Sequence, residues 1–393
     1  MGLINYDVNE NILTIFLSGH IDSKNAPDVE AEVTEARKGN EDKQIIVDVK
    51  DLVYISSAGL RIILRLRKEC PTIKIINASS EVYEIFDITG FTEMLDIQKA
   101  YREVSVDGCE VIGEGANGKV YRIDPDTIVK VYLNPDSLPD IQRERELART
   151  ALILGIPTAI PYDVVKVGNG YGSVFELLNA KSFAKIVQQN PEKIDEVIKM
   201  SVDLLKKIHS TVVKPGTMPD MKEVALNWVT FLKDYLDPKD GEKLVKLVED
   251  VPHSDHMLHG DYHLKNVMLQ NGEVLLIDMD TLCVGHPVFE FASIFNAYQG
   301  YSDLDHENIK NFLGITYEQG AKIWNDTLKL YFEGLSDEEI ENNANKAKLI
   351  GYVRNMRRTI RRGGFDNEQG KAIIANCKNH IEDLLSKVDT LVF

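Results

Sequence analysis

The sequence predicts two domains. A small α/β sandwich occupies residues 1–104, and an α+β domain follows, with a small β lobe at 109–180 and a large helical lobe at 181–393. Three observations carry this. The chain has 393 residues, and single hydrophobic cores stop growing near ~250–300. Short apolar β runs alternate with helical patterns over residues 3–100. Beyond Tyr101–Gly108, glycine-split β runs come first, and helical spacing dominates from Pro191 onward.

In the first domain, Leu3–Val8 and Ile12–Leu17 flank the turn signal Asn9-Glu10-Asn11, which predicts a hairpin. Ala26–Lys38 has helical spacing, with Val29 and Val33 on one face. Gln44–Val49 reads as a buried strand. Ser57–Lys68 reads as a helix that opens on a serine and repeats Leu60, Ile63, Leu64 and Leu66. Ile73–Ile76 predicts a strand, and Ser80–Ile88 a helix capped by Ser79 or Ser80.

In the second domain, Glu110–Ile112 and Lys119–Ile123 are β runs divided by glycines. Asp124-Pro125-Asp126 turns the chain into Thr127–Leu133, a β-branched strand. Ile141–Leu154 is a helix that ends before Gly155 and Pro157. Ser173–Leu177 is a further strand, and Asn271-Gly272 joins Val267–Leu269 to Val274–Ile277 as a hairpin.

A net charge of −17 disfavours attachment to nucleic acid or to an anionic membrane. Cys70, Cys109, Cys283 and Cys377 lie far apart with no C-x-x-C, so a zinc knuckle or redox pair is not indicated. A reducing, cytoplasmic setting is expected. The N-terminus lacks the basic and apolar regions of a signal peptide, and no apolar run reaches the ~20 residues of a membrane span.

Three motifs carry chemistry. Gly113, Gly115 and Gly118 form a G-x-G-x-x-G. Dinucleotide folds need a helix directly after such glycines, whereas here Val120–Ile123 is a strand. A glycine hairpin suits a lid over phosphates, where bare backbone approaches the oxygens. Lys130 is the only charge in Thr127–Leu133, placed to hold α- and β-phosphates. Glu144 or Glu146 on the next helix could orient it, and Glu144 is preferred. The alternative for these charges is a surface i,i+4 network. The third motif is His259-Gly260-Asp261-Tyr262-His263-Leu264-Lys265-Asn266, followed by Leu275-Leu276-Ile277-Asp278-Met279-Asp280. Phosphoryl transfer needs a carboxylate near the acceptor hydroxyl and oxygen ligands for magnesium. Asp261 fits the first need, and Asn266 with Asp278 the second.

This third motif resembles the aminoglycoside phosphotransferase and choline kinase superfamily, relatives of the protein kinases. The resemblance spans about 109–300. It implies a bilobal protein-kinase-like fold, ATP and Mg2+ as cofactors, and an alcohol group as acceptor. It also implies that the backbone of Glu176-Leu177-Leu178 meets adenine. Gly285-His286-Pro287 and Glu290-Phe291-Ala292 resemble the segment after the metal aspartate, with Glu290 in place of an aspartate. Two competing readings are a zinc site built from His253, His256, His259 and His263, and a kinase-like fold without turnover.

Asp51–Leu60, Gly19-His20-Ile21-Asp22 and Phe86–Phe91 resemble the STAS domain of anti-sigma factor antagonists. The resemblance covers about 1–100 and implies a protein partner, with Ser57 as a possible phosphorylation site. Ser56 stands where many members have an aspartate. A phosphate at a helix N-terminus is tolerated electrostatically and adds a charge of about −1.5 to −2. An alternative function is therefore an anti-sigma factor antagonist-type regulatory protein whose kinase-like half binds nucleotide without turnover.

Arg354, Arg357, Arg358, Arg361 and Arg362 share a helix face. One reading is internal salt bridges. The other is a site for an anionic acceptor, which would exclude polycationic aminoglycosides.

Overall fold

A computed structural model describes residues 3–115 and 118–393. The chain forms two compact units. One is Met1–Ser105 with Val164–Asn169, and the other is Val106–Asp163 with Gly170–Phe393.

In the first unit the order is β1 (Ile4–Asn9), β2 (Ile12–Ile21), α1 (Ala26–Arg37), β3 (Gln44–Ile55), α2 (Ser57–Glu69), β4 (Lys74–Ala78), α3 (Ser80–Ile88) and β5 (Asp96–Lys99). The strands lie in the order β1-β2-β3-β4-β5. The first pair is an antiparallel hairpin, and the others run parallel. Alternation along β2 buries Leu13, Ile15 and Leu17, which meet Ile45, Val47 and Val49 of β3 in one core. Leu60, Ile63 and Leu66 bring α2 onto it. Each such fully buried aliphatic side chain contributes about 1.5–3 kcal/mol. Ser56 caps α2, its hydroxyl accepting the Gly59 N–H at 3.5 Å, which leaves Ser57 exposed as the first helical residue. Ser79, not Ser80, caps α3.

Two features of this unit depart from expectation. β3 runs past Val49 to Ile55, because Leu52 and Ile55 still point into the core across Lys50 and Asp51. β5, too short and polar to read from sequence, completes the sheet edge. Val165 and Lys166 pair parallel with β6 (Arg102–Glu103).

The second unit begins with β7 (Glu110–Glu114), β8 (Gly118–Asp124), β9 (Thr127–Tyr132), α4 (Leu138–Ile153) and β11 (Gly170–Glu176), while β10 (Pro161–Val167) starts in it and ends in the first unit. Within this unit the strands lie in the order β11-β9-β8-β7. β10 was not expected, since it opens on a proline and alternates apolar with charged residues. β12 (Lys181–Ser182), α5 (Phe183–Gln189), α6 (Ile194–Ser210), α7 (Met221–Leu232) and α8 (Pro238–Glu249) follow. Then come β13 (Met257–Leu258), β14 (Val267–Gln270), β15 (Glu273–Leu276) and β16 (Cys283–Val284). The chain ends with α9 (Pro287–Tyr298), α10 (Glu307–Leu313), α11 (Tyr317–Tyr331), α12 (Asp337–Arg361) and α13 (Glu368–Leu385). Every residue of α9 from Val288 to Tyr298 is buried, which makes it the central helix. No helix among the described residues is long and apolar enough to cross a membrane.

His286 caps α9, its Nδ1 accepting the Val288 N–H at 3.2 Å. Burial, with the nearby His209 and Lys346 charges, pushes its pKa down to about 4. The unfolded chain binds a proton at its ordinary value of 6.5, so stability falls as pH drops through the window from 6.5 to about 4. His286→Asn keeps a capping acceptor but does not titrate. We expect the Tm of the wild type to fall more steeply than that of the variant across this window. Parallel Tm curves would refute the assignment.

Candidate active site

Lys130 is placed by register. On β9 it sits opposite Val120 of β8 and Ser173 of β11. Its side chain is only 18% exposed, and Nζ donates to Glu144 Oε1 and to Asp278 Oδ1, both at 2.9 Å. Such an ammonium is tolerated only because it is paired. Glu144 faces inward because Ile141, Leu147, Ala148 and Ala151 bury the same stripe of α4. Glu146 lies exposed beside Arg145, which leaves Glu144 as the partner. Burial works against the Lys130 ammonium, but the two carboxylates outweigh it and hold Lys130 above the ordinary lysine range. Burial pushes Glu144 up to about 7, partly opposed by Lys130.

Asp278 reaches this cluster through the β14–β15 hairpin. Its backbone adopts the left-handed region, φ 64°, a conformation that costs a non-glycine residue about 1 kcal/mol or more. The Ile277 N–H donates to the Asn266 carbonyl at 2.9 Å, so Asn266 and Asp278 come from neighbouring backbone. Asn266 Nδ2 donates to the Asp261 carbonyl at 3.0 Å, which turns its Oδ1 to the opposite side. A carboxylate and an amide oxygen are the donors that Mg2+ prefers.

The loop carrying Asp261 is locked from several sides. Gly260 has φ 79°, and a Cβ there would lie 2.5 Å from the Thr281 carbonyl oxygen. The fully buried Glu290 of α9 accepts N–H bonds from His259 and from Gly260, the latter at 3.0 Å. Burial opposes its charge, but His209, 3.8 Å away, and His259 outweigh this and hold the carboxyl below its ordinary range. The Thr281 hydroxyl donates to the His259 carbonyl at 2.7 Å. His259 Nδ1 accepts the Asp261 N–H at 3.3 Å, so its Nε2 carries the proton and meets the Ile277 carbonyl at 3.2 Å. Arg354 Nη1 of α12 donates to the Gly260 carbonyl at 3.0 Å. His263 Nε2 lies 3.5 Å from Asp261 Oδ2. Burial raises Asp261, but His263, through its hydrogen bond and charge, and Arg354 outweigh it and hold the carboxyl well below the usual range.

Gly113 and Gly118 end up in β7 and β8, so the glycines form a strand-to-strand hairpin. A Cβ at Gly118 would meet the Val131 carbonyl oxygen at 2.3 Å. The Gly115 N–H donates to the Gly118 carbonyl at 3.0 Å. Ala116 and Asn117, within the same motif, lie outside the described residues. At the expected adenine contact, the Glu176 N–H is already bonded to Ile160 and the Leu177 N–H to Asp126. Among the described residues the Leu178 backbone has no such bond, so it is the group free to meet a ring.

The histidines of the competing zinc reading are occupied separately. His253 pairs with Asp220 and Asp255, and His256 with Ser254, while His259 and His263 order the loop. Among the described residues no three His, Cys, Asp or Glu side chains are placed to hold a metal.

Residues 108–323, more than half of the chain, match the family model described as "Phosphotransferase enzyme family". The chain belongs to that family. Residues 4–104 of the phosphotransferase match the STAS domain model. That N-terminal segment is 31% identical over 100 residues to the anti-sigma-B factor antagonist of Bacillus subtilis, covering 24% of this chain and 90% of that protein. It is 26% identical over 97 residues to the anti-sigma-B factor antagonist of Listeria monocytogenes, covering 24% and 84%. Among solved structures, the phosphotransferase is similar to a thermostable mutant of aminoglycoside phosphotransferase APH(4)-Ia, with TM-score 0.48, 13% identity, and 71% and 94% of the two chains covered. A choline/ethanolamine kinase family protein from Mesorhizobium loti gives TM-score 0.47, 14% identity, and 72% and 92% coverage.

The structure gives positioning roles to three residues, of which Glu290 and Arg354 were already singled out from sequence in other roles and Thr281 was not. Glu290 braces the loop, Thr281 ties it to the following turn, and Arg354 holds it from α12. The signal for Glu290 was present, since it is the only charge in the apolar run of α9. Thr281 carried no signal.

If Glu144 holds Lys130 in place, activity should fall as pH drops through about 7, where its carboxylate takes up a proton. Glu144→Gln should erase that acid limb and raise the nucleotide KM by ~10–100-fold. A pH–rate profile of each protein measures both effects. An acid limb that survives in the variant would assign it to another group.

Proposed function

We propose that this phosphotransferase moves the γ-phosphoryl group of ATP, with Mg2+, to a hydroxyl group, and that its STAS domain engages a protein partner. The observation that carries the reading is the 2.9 Å contact of Lys130 with Asp278, which joins the glycine-hairpin sheet to the Asp261 loop. In this reading the Lys130 ammonium takes the α- and β-phosphates, and the backbone of Gly113, Gly115 and Gly118 covers them. The Leu178 backbone receives the adenine edge, while Glu176 frames the same turn. Asn266 and Asp278 would hold Mg2+, which when bound neutralises phosphate charge.

Asp261 accepts a hydrogen bond from the acceptor hydroxyl and aims its oxygen at the γ-phosphorus. The new bond joins that oxygen to phosphorus, the β–γ bridging bond breaks, and ADP leaves. A carboxylate held far below its ordinary range is a weak base at neutral pH. Its work is therefore orientation, and the hydroxyl proton departs late, as a loose transition state allows, passing to an oxygen of the transferred phosphoryl group.

A regulatory reading, with nucleotide bound and no turnover, draws on the STAS domain and its relatives. Asp261→Asn decides between them. It should keep nucleotide binding and lose ~10³-fold or more of acceptor-dependent ADP formation. A wild type that binds ATP without ever producing ADP would favour the regulatory reading. Ser57, exposed at the start of α2, is the site on the STAS domain suited to a phosphate. Should the chain itself supply that phosphate, incubation with Mg-ATP adds one phosphate to the intact mass, and Ser57→Ala abolishes the gain. No gain, or one retained in the variant, ends that idea.

A further inference from the structure

The expectation that the α12 arginines form internal salt bridges fails. Among the described residues, Arg354, Arg357, Arg358, Arg361 and Arg362 enter no ion pair, in a chain with 62 acidic residues. Their partners are rings and carbonyls instead. Arg354 lies over Trp228, 5.7 Å from its centroid, while bonding to the Gly260 carbonyl. Arg361 lies over Phe231 at 4.7 Å, and Arg358 over Tyr301 at 5.1 Å. Trp228 and Phe231 are one turn apart on α7, so α7 supports both ends of one arginine stripe.

Arg357 lies between Arg354 and Arg361 on that stripe. It is half-buried, and its Nε is buried without a hydrogen-bond partner. Like charges one helical turn apart disfavour each other. Burial and the Arg361 charge together hold Arg357 below the usual arginine range. A guanidinium stacked on a ring keeps its N–H edge for an oxyanion, which it grips as a fork.

We propose that this stripe binds the anionic group of the acceptor, so that the substrate is a small molecule carrying both a hydroxyl and a carboxylate or phosphate. The inference rests on the phosphotransfer reading of Asp261. Arg354 marks the near end of the stripe, beside the residue before Asp261. At 1.5 Å per residue, Arg357 lies about 5 Å and Arg361 about 10 Å further along α12. An oxyanion between them stands a few bonds from a hydroxyl at Asp261. A polycationic acceptor would meet repulsion in the same place.

The test uses the full chain and isothermal titration. The protein is first titrated with Mg-ADP, then with inorganic phosphate, malonate and glycerol, with and without the nucleotide. Wild type should bind phosphate or malonate and ignore glycerol. Arg357→Gln with Arg361→Gln should weaken that binding by about tenfold or more, with Mg-ADP affinity unchanged. Arg361→Gln alone alters an exposed side chain, keeps the fold, and should show part of the loss. Tighter phosphate points to a phosphate monoester, and tighter malonate to a carboxylate. No anion binding by wild type, or equal binding by the variants, overturns the proposal. Failure to bind Mg-ADP would overturn the phosphotransfer reading instead, and the anion titrations without nucleotide are read in the same way.

Discussion

The site depends on one buried cation shared by two carboxylates. Lys130 is mostly withdrawn from water, so its ammonium must be answered by charge, and Glu144 and Asp278 supply it. The three groups come from a strand, a helix and a hairpin end. Losing Glu144 would remove the buried partner of Lys130, whereas Asp278 is half-exposed and its loss is softened by water. Asp280 is also pushed up, by burial first and then by Asp278. A nucleotide would bring further negative charge to this cluster. Lys130 alone cannot neutralise two carboxylates and a polyphosphate, which is the electrostatic reason the proposed chemistry calls for a divalent cation held by Asn266 and Asp278.

The Asp261 loop is a second, separate device. A backbone that must present one carboxylate at a fixed angle cannot rely on loop propensity. Here side chains take over the loop's own polar groups. Glu290 accepts two successive N–H groups, Thr281 and Arg354 cover two successive carbonyls, and His259 bridges to Ile277. Glu290 is fully buried, so its charge is expensive, and His209 and His259 make it tolerable. The Glu290 side chain spans the distance from α9 to the loop. The departure noted in sequence is one of length, and the acceptor function is kept.

Much of this was legible because the chemistry sits on strong local signals. A lone lysine in a β-branched run, glycines between two strands, and Asn271-Gly272 each specify backbone locally. What escaped was set by tertiary packing. β10 opens on a proline and carries charges, and its pairing with β6 has no sequence signature. The preference for Glu144 over Glu146 agrees with the structure, where the physical reason is the buried stripe of α4. The N–H of Glu176, expected to face a nucleotide, is spent on Ile160, a contact with no sequence signature. Of the two readings of the α12 arginines, internal salt bridges drew on the plentiful acids of the composition, which says nothing about where those acids lie.

Those acids are placed elsewhere, and the chain treats its two cations differently. In the second unit the surface pairs are built almost wholly from lysine, as in Lys246–Asp250, Lys322–Asp326 and Lys387–Asp383. Among the described residues Arg145–Glu146 is the one surface pair there that uses an arginine, and His253 and His380 supply the pairs that use a histidine. Lysine suits that work, since an exposed pair is worth ~0–1 kcal/mol and needs no fixed geometry. Arginine is concentrated where planarity matters, over Trp228, Phe231 and Tyr301 and against the Gly260 carbonyl. A protein with net charge −17 thus keeps a strip of positive potential beside Asp261. Such a strip would attract anions that the rest of the surface repels. Selectivity for acceptor charge would then arise from the contrast between strip and surface as much as from any single contact.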